Sequence, residues 1–507
     1  MKTVQITNVR VNYLPQDPLV SRPAEMILDS GEVGDRLEGP RLRVDDGEPA
    51  RPDAQGNYLF QPGTREFQQA NSLVCATRTL RLFEQALGHE IPWAFRGKLQ
   101  IHPHYGQGFN AFYLRQDHSI NFFDGLDTTT NKMVAGSESL DVISHETGHA
   151  VLDALRPGLV GWFGSEQAAA FHESFGDLAT ILTSLHDPHV LDKLAQDTGG
   201  DLHRPNQVAR LAEELSLGIN HVHLGGSRPD DWAMRDANNN FTYVPPSQLP
   251  DRAPPEELSR EPHSFSRIFT GACWDVLALM TEENMRQGLD PRQAIVAARD
   301  AMLTLCAHAV ELGPNRLKRL GQMADSMLKA DRRYQAGKFQ GILTEVMMRR
   351  GLLSAGAAEE VPALRLERVP SSAPEAEALL GDQLGLGPLP ALSCESIQRN
   401  GEGETFLRYT QVREVELEPG TSTDLAASLT LGFDREGRLF HRLWEPIDQE
   451  AVELARQEVE VRTSQGAIRE LAPRSSADLM TADDGIYAGY LVGAPGGHQK
   501  LVRIPGA

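Results

Sequence analysis

The 507-residue sequence predicts an α+β protein, and three patterns carry that prediction. Up to about residue 160, short alternating apolar runs stand between longer stripes of helical spacing. From 264 to 353 the apolar spacing is almost entirely helical. Beyond 390, alternation returns, with turn residues between the runs. With 40% hydrophobic residues the chain has enough apolar surface for several cores, and two or three domains are expected at this length.

Taken in order, residues 1–60 are rich in Pro, Gly and charge; 4–13 reads as a strand and 35–56 as an irregular acidic loop. Residues 67–87 place Leu73, Ala76, Leu80, Phe83 and Leu87 at helical spacing and stop at Gly88. Residues 98–102 read as a strand, and 110–114 with 119–123 as a hairpin or adjacent strands. His102, His104 and His118 fall among turns there and read as hydrogen-bonding residues rather than a second metal site. Leu140, Val142, Ile143, Ala150, Val151 and Leu155 form one helical stripe, capped by Ser137 or Ser139 and stopped by Pro157-Gly158. Residues 167–185 read as another buried helix. The stretch 200–262 is loop-rich, with a proline run at 244–255, and is expected to shape access to a neighbouring cleft. In it, His221 and His223 alternate as on a strand. Helices are expected at 268–280, 291–312, 315–328 and 338–348. Residues 354–390 read as a linker with a short helix at 374–384. Strands follow at 406–417, 429–433 and 438–443, the last two as a hairpin across 434–437. Two more are expected at 459–463 and 486–492.

The first of the two buried helices carries His145-Glu146-Thr147-Gly148-His149, the pattern H-E-x-x-H. Positions i and i+4 share a helix face, so both imidazoles can aim at one ion. A catalytic zinc takes three protein ligands and leaves a position for water. Glu173 on the next helix can be the third ligand, and Glu146 then stands beside the metal as a general base. Asp177, four residues beyond Glu173, can accept a hydrogen bond from a ligand histidine. Carboxylates on otherwise apolar helices are costly to bury unless paired or metal-bound, which favours this reading over a chance match.

These residues resemble the thermolysin-like zinc metallopeptidases. Asp141-Val142-Ile143 before His145 and Ala150-Val151 after His149 are similar to the family's active-site helix, and Glu173-Ser174-Phe175-Gly176-Asp177 to the segment with its third ligand. Tyr105 to Tyr113, with Asn110-Ala111-Phe112, resembles the edge strand that holds the substrate backbone. Ala233-Met234-Arg235-Asp236 resembles the arginine block, and Pro262-His263-Ser264 the histidine that stabilises the oxyanion. The likeness spans about 65–353. It implies a two-lobe catalytic module: an α/β lobe over 61–156 with the edge strand and zinc helix, and a mainly helical lobe over 157–353 with the third ligand. Residues 1–60 would be an N-terminal extension, 354–390 a linker and 391–507 a small β-rich accessory domain that binds substrate, a surface or a partner, or simply covers the module. The implied activity is zinc-dependent hydrolysis of internal peptide bonds in a peptide or protein. Glu146 would be the base, His263 the oxyanion donor, and Asn110, Ala111 and Arg235 the substrate contacts.

Three departures stand out. The 158–166 loop has no tyrosine to serve as a further oxyanion donor. His172 replaces the family's usual asparagine before the glutamate; it either orients His149 or is incidental. Calcium is left open as a second ion, since Asp187, Asp192, Asp197 and Asp201 are scattered rather than gathered in one loop.

A net charge of −21 argues against nucleic acid and anionic membrane surfaces as partners. Cys75, Cys273, Cys306 and Cys394 are widely spaced and form no metal or disulfide pattern. No apolar leader or membrane-spanning run is seen, so a cytoplasmic location is expected, the alternative being export without a cleaved signal. Two competing functions remain: a catalytically inactive peptide-binding homologue, which a lost ligand would betray, and an aminopeptidase, which needs acids to grip a free amine.

Overall fold

The computed structural model describes residues 8–159, 166–229, 233–353, 361–379, 392–464, 468–470, 490–493 and 499–503. An antiparallel pair, β1 (Asn8–Tyr13) and β2 (Ala24–Asp29), opens the described chain, followed by the short helix α1 (Ser30–Val33) and strand β3 (Leu42–Val44). Alternation on β1 turns Val9, Val11 and Tyr13 inward, against helix α2 (Arg65–Leu87). Thr64 caps α2 through the Phe67 N–H, and Gly88 ends it in the left-handed conformation at φ +69°. Next come β4 (Leu99–Gln107), β5 (Ala111–Leu114), β6 (Ser119–Asp127) and β7 (Lys132–Ala135). The sheet order is β3-β4-β6-β5, with β7 also on β6. β3, β4 and β6 are parallel; β5 runs antiparallel at the edge, in register Ala111↔Phe122 to Leu114↔Ser119.

Helices then dominate: α3 (Leu140–Leu155), α4 (Glu166–Leu185) and α5 (Pro188–Thr198). Strand β8 (Arg210–Leu211), helix α6 (Glu213–His223) and strand β9 (Arg235–Asp236) follow. Then come α7 (Pro262–Arg286), α8 (Pro291–Leu312), α9 (Leu320–Tyr334) and α10 (Gln340–Arg349). α4 is buried along nearly its whole length and packs against both α3 and α7. One continuous core runs from Val9 to Leu352.

The remaining elements are α11 (Ala373–Ala378), β10 (Ser393–Arg399), β11 (Thr405–Glu418), β12 (Thr421–Phe433), β13 (Leu439–Glu445), α12 (Gln449–Ser464), β14 (Ile468–Glu470), β15 (Tyr490–Gly493) and β16 (Gln499–Arg503). Their seven-stranded sheet has the order β10-β11-β12-β16-β15-β14, with β13 also on β12. One face packs Leu407, Tyr409, Leu429, Leu431 and Phe433 on α11. The other sends Phe406 and Phe440 into the main core. Gly401 and Gly88 meet backbone to backbone: a Cβ on Gly401 would lie 2.5 Å from the Gly88 carbonyl oxygen.

Several sequence expectations need correction. His221 and His223 lie on helix α6, not a strand, where Glu213 and Glu214 in the first turn suit the helix dipole. Residues 459–463 belong to α12: Val452, Ala455 and Val459 bury at spacings that fit a helix rather than a strand. The helix expected at 374–384 is described only as Ala373–Ala378, and 380–391 lie outside the described residues. So do 486–489 of one expected strand and 160–165 of the loop without tyrosine. Among the described residues no helix is long and apolar enough to cross a membrane.

Candidate metal centre

Two glycines let α3 and α4 cross closely. A Cβ on Gly148 would lie 2.8 Å from the Ala179 Cβ, and one on Gly176 would lie 2.6 Å from Nδ1 of His145. Without side chains there, the helices approach until Glu173 reaches both histidines. Ser139 caps α3 at its N-terminus, and Thr180 Oγ1 donates to the Asp141 carbonyl at 2.8 Å, tying α4 to α3. Ser174 Oγ donates to Ser266 O at 2.9 Å, tying α4 to α7.

Nε2 of His145 lies 3.2 Å from Glu173 Oε2, and Nε2 of His149 lies 3.5 Å from Oε1. Bonds of about 2.0–2.1 Å in a tetrahedral zinc site place its ligand atoms about 3.3–3.4 Å apart. Two imidazoles and a carboxylate suit zinc in donor chemistry, each histidine lies near that spacing from one Glu173 oxygen, and His145, Glu146 and His149 also place ligand atoms within 4.8 Å of one another. The Nδ1 atoms are engaged from behind. His145 Nδ1 lies 3.2 Å from Asp177 Oδ1, and His149 Nδ1 lies 2.7 Å from His172 Nδ1. That contact sets the His172 ring directly behind His149. Glu146 is buried and its Oε2 has no hydrogen-bond partner. A buried, unpaired carboxylate oxygen costs on the order of 1–3 kcal/mol or more, a penalty tolerated where the group has a task.

Electrostatics sort the groups. Burial raises the Glu146 pKa to about 7, close to what a general base needs at neutral pH. Burial opposes ionisation of Glu173, but His263, His149 and His145 outweigh it and hold its carboxyl well below the usual range. Burial pushes His149 well down and His172 to about 4, so both rings stay neutral, as a metal ligand must be. For His145, burial and Arg235 oppose protonation, but Asp177 and Glu173 raise its pKa to about 9; a bound cation would compete with that proton.

A cavity of about 430 Å³ opens over these groups. Phe109, Val142, Leu211, Leu215, Ile219 and Met234 form apolar walls, while Asn110, Ala111, Glu146, Arg235 and His263 supply polar lining. Asn110 Oδ1 accepts from the Ala111 N–H at 2.9 Å, at the start of edge strand β5. Arg235 Nε donates to Asp177 at 2.8 Å, and its Nη2 lies 3.2 Å from His145 Nδ1. Its guanidinium thus braces the metal side of the cleft as well as lining it. His263, in the first turn of α7, is half exposed and places Nε2 3.3 Å from Glu173 Oε2. Ala253 and Pro255, from the proline run, form part of the rim, where Arg267 holds the run by donating to the Pro255 and Glu257 carbonyls.

Sequence reasoning missed Glu261. It caps α7 through the Ser264 N–H and lies 2.5 Å from His263 Nδ1, and after Glu173 it raises that histidine's pKa. Glu261-Pro262 at a helix start was the available signal. Also missed was a trio of buried acids, Asp17, Asp141 and Glu213, whose ligand atoms lie within 4.8 Å of one another. Burial raises all three carboxyls, and repulsion adds to it: from Glu214 at Asp17, from Asp17 at Asp141, and from Asp141 and Asp17 at Glu213. The aspartates considered for calcium do not gather. Asp187 caps α5, while Asp192, Asp197 and Asp201 pair with Arg292, Lys193 and Arg204.

No family model matches the sequence, and no curated protein matches it. Twenty-four chains of solved structure do. One is a precursor of protealysin, a metalloproteinase from Serratia proteamaculans. It is 17% identical, with 70% of this chain and 90% of that chain covered and a TM-score of 0.37. A likeness at that level fixes neither the fold nor the activity of the present chain.

Proposed function

We propose that the chain is a thermolysin-like zinc-dependent endopeptidase. In this reading residues 61–156 and 157–353 form the two lobes of a catalytic module, 1–60 an extension, 354–390 a linker and 391–507 an accessory domain. The observation that carries the reading is the convergence of His145, His149 and Glu173 at zinc-ligand separations beneath a cleft that also exposes Glu146 and His263. His145, His149 and Glu173 would hold a zinc ion, which would supply Lewis-acid chemistry toward the scissile carbonyl and the attacking water.

Glu146, tuned to about 7 by burial, takes a proton from the attacking water and passes it to the leaving amine. His263 donates to the oxygen that gains negative charge; Glu261 positions it, and Glu173 and Glu261 both favour its protonated form. Asp177 holds the His145 ring, and Arg235 anchors Asp177 while presenting its remaining N–H groups to the cleft. The edge of β5, starting at Asn110 and Ala111, offers backbone groups to an extended peptide. The apolar walls favour a bulky apolar side chain beside the scissile bond.

An aminopeptidase needs carboxylates free to hold an amine. Beyond Glu146, Asp177 is engaged by Arg235 and Glu261 by His263; Asp141 accepts from the Ala212 N–H with Oδ2 and leaves Oδ1 unpartnered, but burial raises its pKa to about 8, which makes it a poor grip for a charged amine. An internal bond therefore fits better than a terminal one. The test uses zinc-loaded protein and fluorogenic peptides blocked at both ends. Glu146→Gln is expected to keep about one zinc per chain and lose roughly 10²–10⁴-fold in kcat/KM. Wild-type protein that holds zinc but cleaves no blocked peptide would overturn the reading in favour of an inactive binding homologue.

A further inference from the structure

Far from the cleft, the C-terminus of α3 meets the last sheet across a seam of buried cations. Arg156, just past α3, donates to the carbonyls of Glu311 and Gly313, the latter at 2.9 Å. Arg408 on β11 reaches the same Glu311 carbonyl at 3.5 Å, so the two guanidiniums converge. Arg316 lies on the loop after α8, and it and Arg156 both feel the charges of Glu445 and Glu395. Arg156 and Arg408 are 2% and 5% exposed. Even so, five guanidinium nitrogens are buried without a hydrogen-bond partner: Nε and Nη1 of Arg156, Nε and Nη1 of Arg316, and Nε of Arg408. Asn315 Nδ2 and His441 Nε2, beside them, are also unpartnered.

Nearby acids do not answer these donors. Glu445 is held by Ser428 Oγ, the Asn315 N–H and Gln322. Glu311 turns its carboxylate to His308 and His89. Glu395 is exposed on β10. Arg156 and Arg408 have carbonyl partners, and Arg408 Nη1 also donates to Gln398 Oε1 at 2.8 Å, but these are neutral groups, and burying a cation without a counter-charge is costly. Burial pulls the Arg156 pKa down to about 10 even though Glu311, Glu445 and Glu395 oppose the shift.

We infer that this seam is a binding site for a tetrahedral oxyanion of the phosphate class, held by Arg156, Arg316 and Arg408. The donors come from three side chains on three elements, so an anion with oxygens in several directions meets more of them than a planar carboxylate does. Arg316 is only half-buried and is the most exposed of the three. Bound there, the anion would join the helical part to the C-terminal sheet. This site is independent of the zinc chemistry.

The probe is inorganic phosphate, titrated into the full chain against chloride at matched ionic strength, with binding followed by calorimetry and by Tm. A saturable Tm rise of several degrees is expected, with at least about tenfold weaker binding in Arg316→Gln. Acetate is expected to give no saturable rise. Arg316 is half-buried and on a loop, so its variant should fold; Arg408→Gln is the second variant. The inference fails if phosphate produces no saturable shift, if Arg316→Gln binds as wild type does, or if acetate matches phosphate.

Discussion

Helix α3 passes two buried groups of acids built on opposite electrostatic plans. At the candidate metal centre, Glu173 is surrounded by His145, His149 and His263, and Asp177 by His145 and Arg235. At the helix N-terminus, Asp17, Asp141 and Glu213 face one another, and their partners are mostly backbone N–H groups, of Ala212 for Asp141 and of Leu19 and Glu214 for Asp17. Asp141 Oδ1 and Glu213 Oε2 have no hydrogen-bond partner. Burial penalises charge equally in both places. Cationic neighbours reverse it for Glu173, while the trio has the helix N-terminus, Arg210 at 3.9 Å from Glu213, and Lys132, whose ammonium is paired with Glu214. Equal burial therefore gives opposite pKa directions, and the neighbours decide the sign.

The largest break in this contrast is Glu173→Gln. Removing one partner from a buried charged network leaves the others uncompensated, at roughly 3–5 kcal/mol. The folded pKa of Glu173 lies below its unfolded value, so its contribution is present above about pH 4.5 and is lost as pH falls below it. Urea denaturation of metal-free protein should show the variant about that much weaker at pH 7, with the gap closing towards acid pH. A gap independent of pH would mean that packing, not charge, explains the loss.

The trio should behave the other way. The folded pKa values of Asp17, Asp141 and Glu213 are raised above their unfolded values, so the unfolded chain releases these protons first as pH rises. Stability is complete near pH 4 and is lost as pH climbs towards the range of about 7 to 9. Asp141→Asn removes one charge and keeps an oxygen for the Ala212 N–H. In metal-free buffer it should match wild type near pH 4 and exceed it by on the order of 1–3 kcal/mol near pH 8. A destabilised Asp141→Asn at pH 8 would mean that the trio is stabilised in its charged form.

The two regions were not equally legible in the sequence. The metal centre depends on spacings of four within α3 and within α4, and helical periodicity makes such spacings visible. Gly148 and Gly176, which set the helix crossing, sit inside the same two motifs. Asp17 reaches Ser139 across 122 positions and Glu214 across 197, and no local pattern encodes such contacts. The seam of arginines failed to show for the same reason, since Arg156, Arg316 and Arg408 meet only when the last sheet docks. The strand expected at 459–463 failed differently: β-branched valines in a short window outweighed the helical spacing that runs from Val452 to Val459.

The smallest expected effect sits where the helix and the trio join. Ser139 accepts from the Val142 N–H as the α3 cap and donates through Oγ to Asp17 Oδ2 at 3.0 Å. Ser139→Ala removes both bonds. Losing the cap costs about 1 kcal/mol at any pH. Losing the second bond matters only while Asp17 is ionised, because the hydroxyl hydrogen bond favours the charged carboxyl and lowers its pKa against burial. The penalty should therefore be about 1 kcal/mol near pH 5 and greater near pH 8, the reverse of the gain expected from Asp141→Asn. Measured in the double variant, the two changes should fail to add at pH 8, because with Asp141 neutral the repulsion on Asp17 falls. Strict additivity at both pH values would show that the cap and the acids act independently, and that only the Val142 bond links Ser139 to the stability of α3.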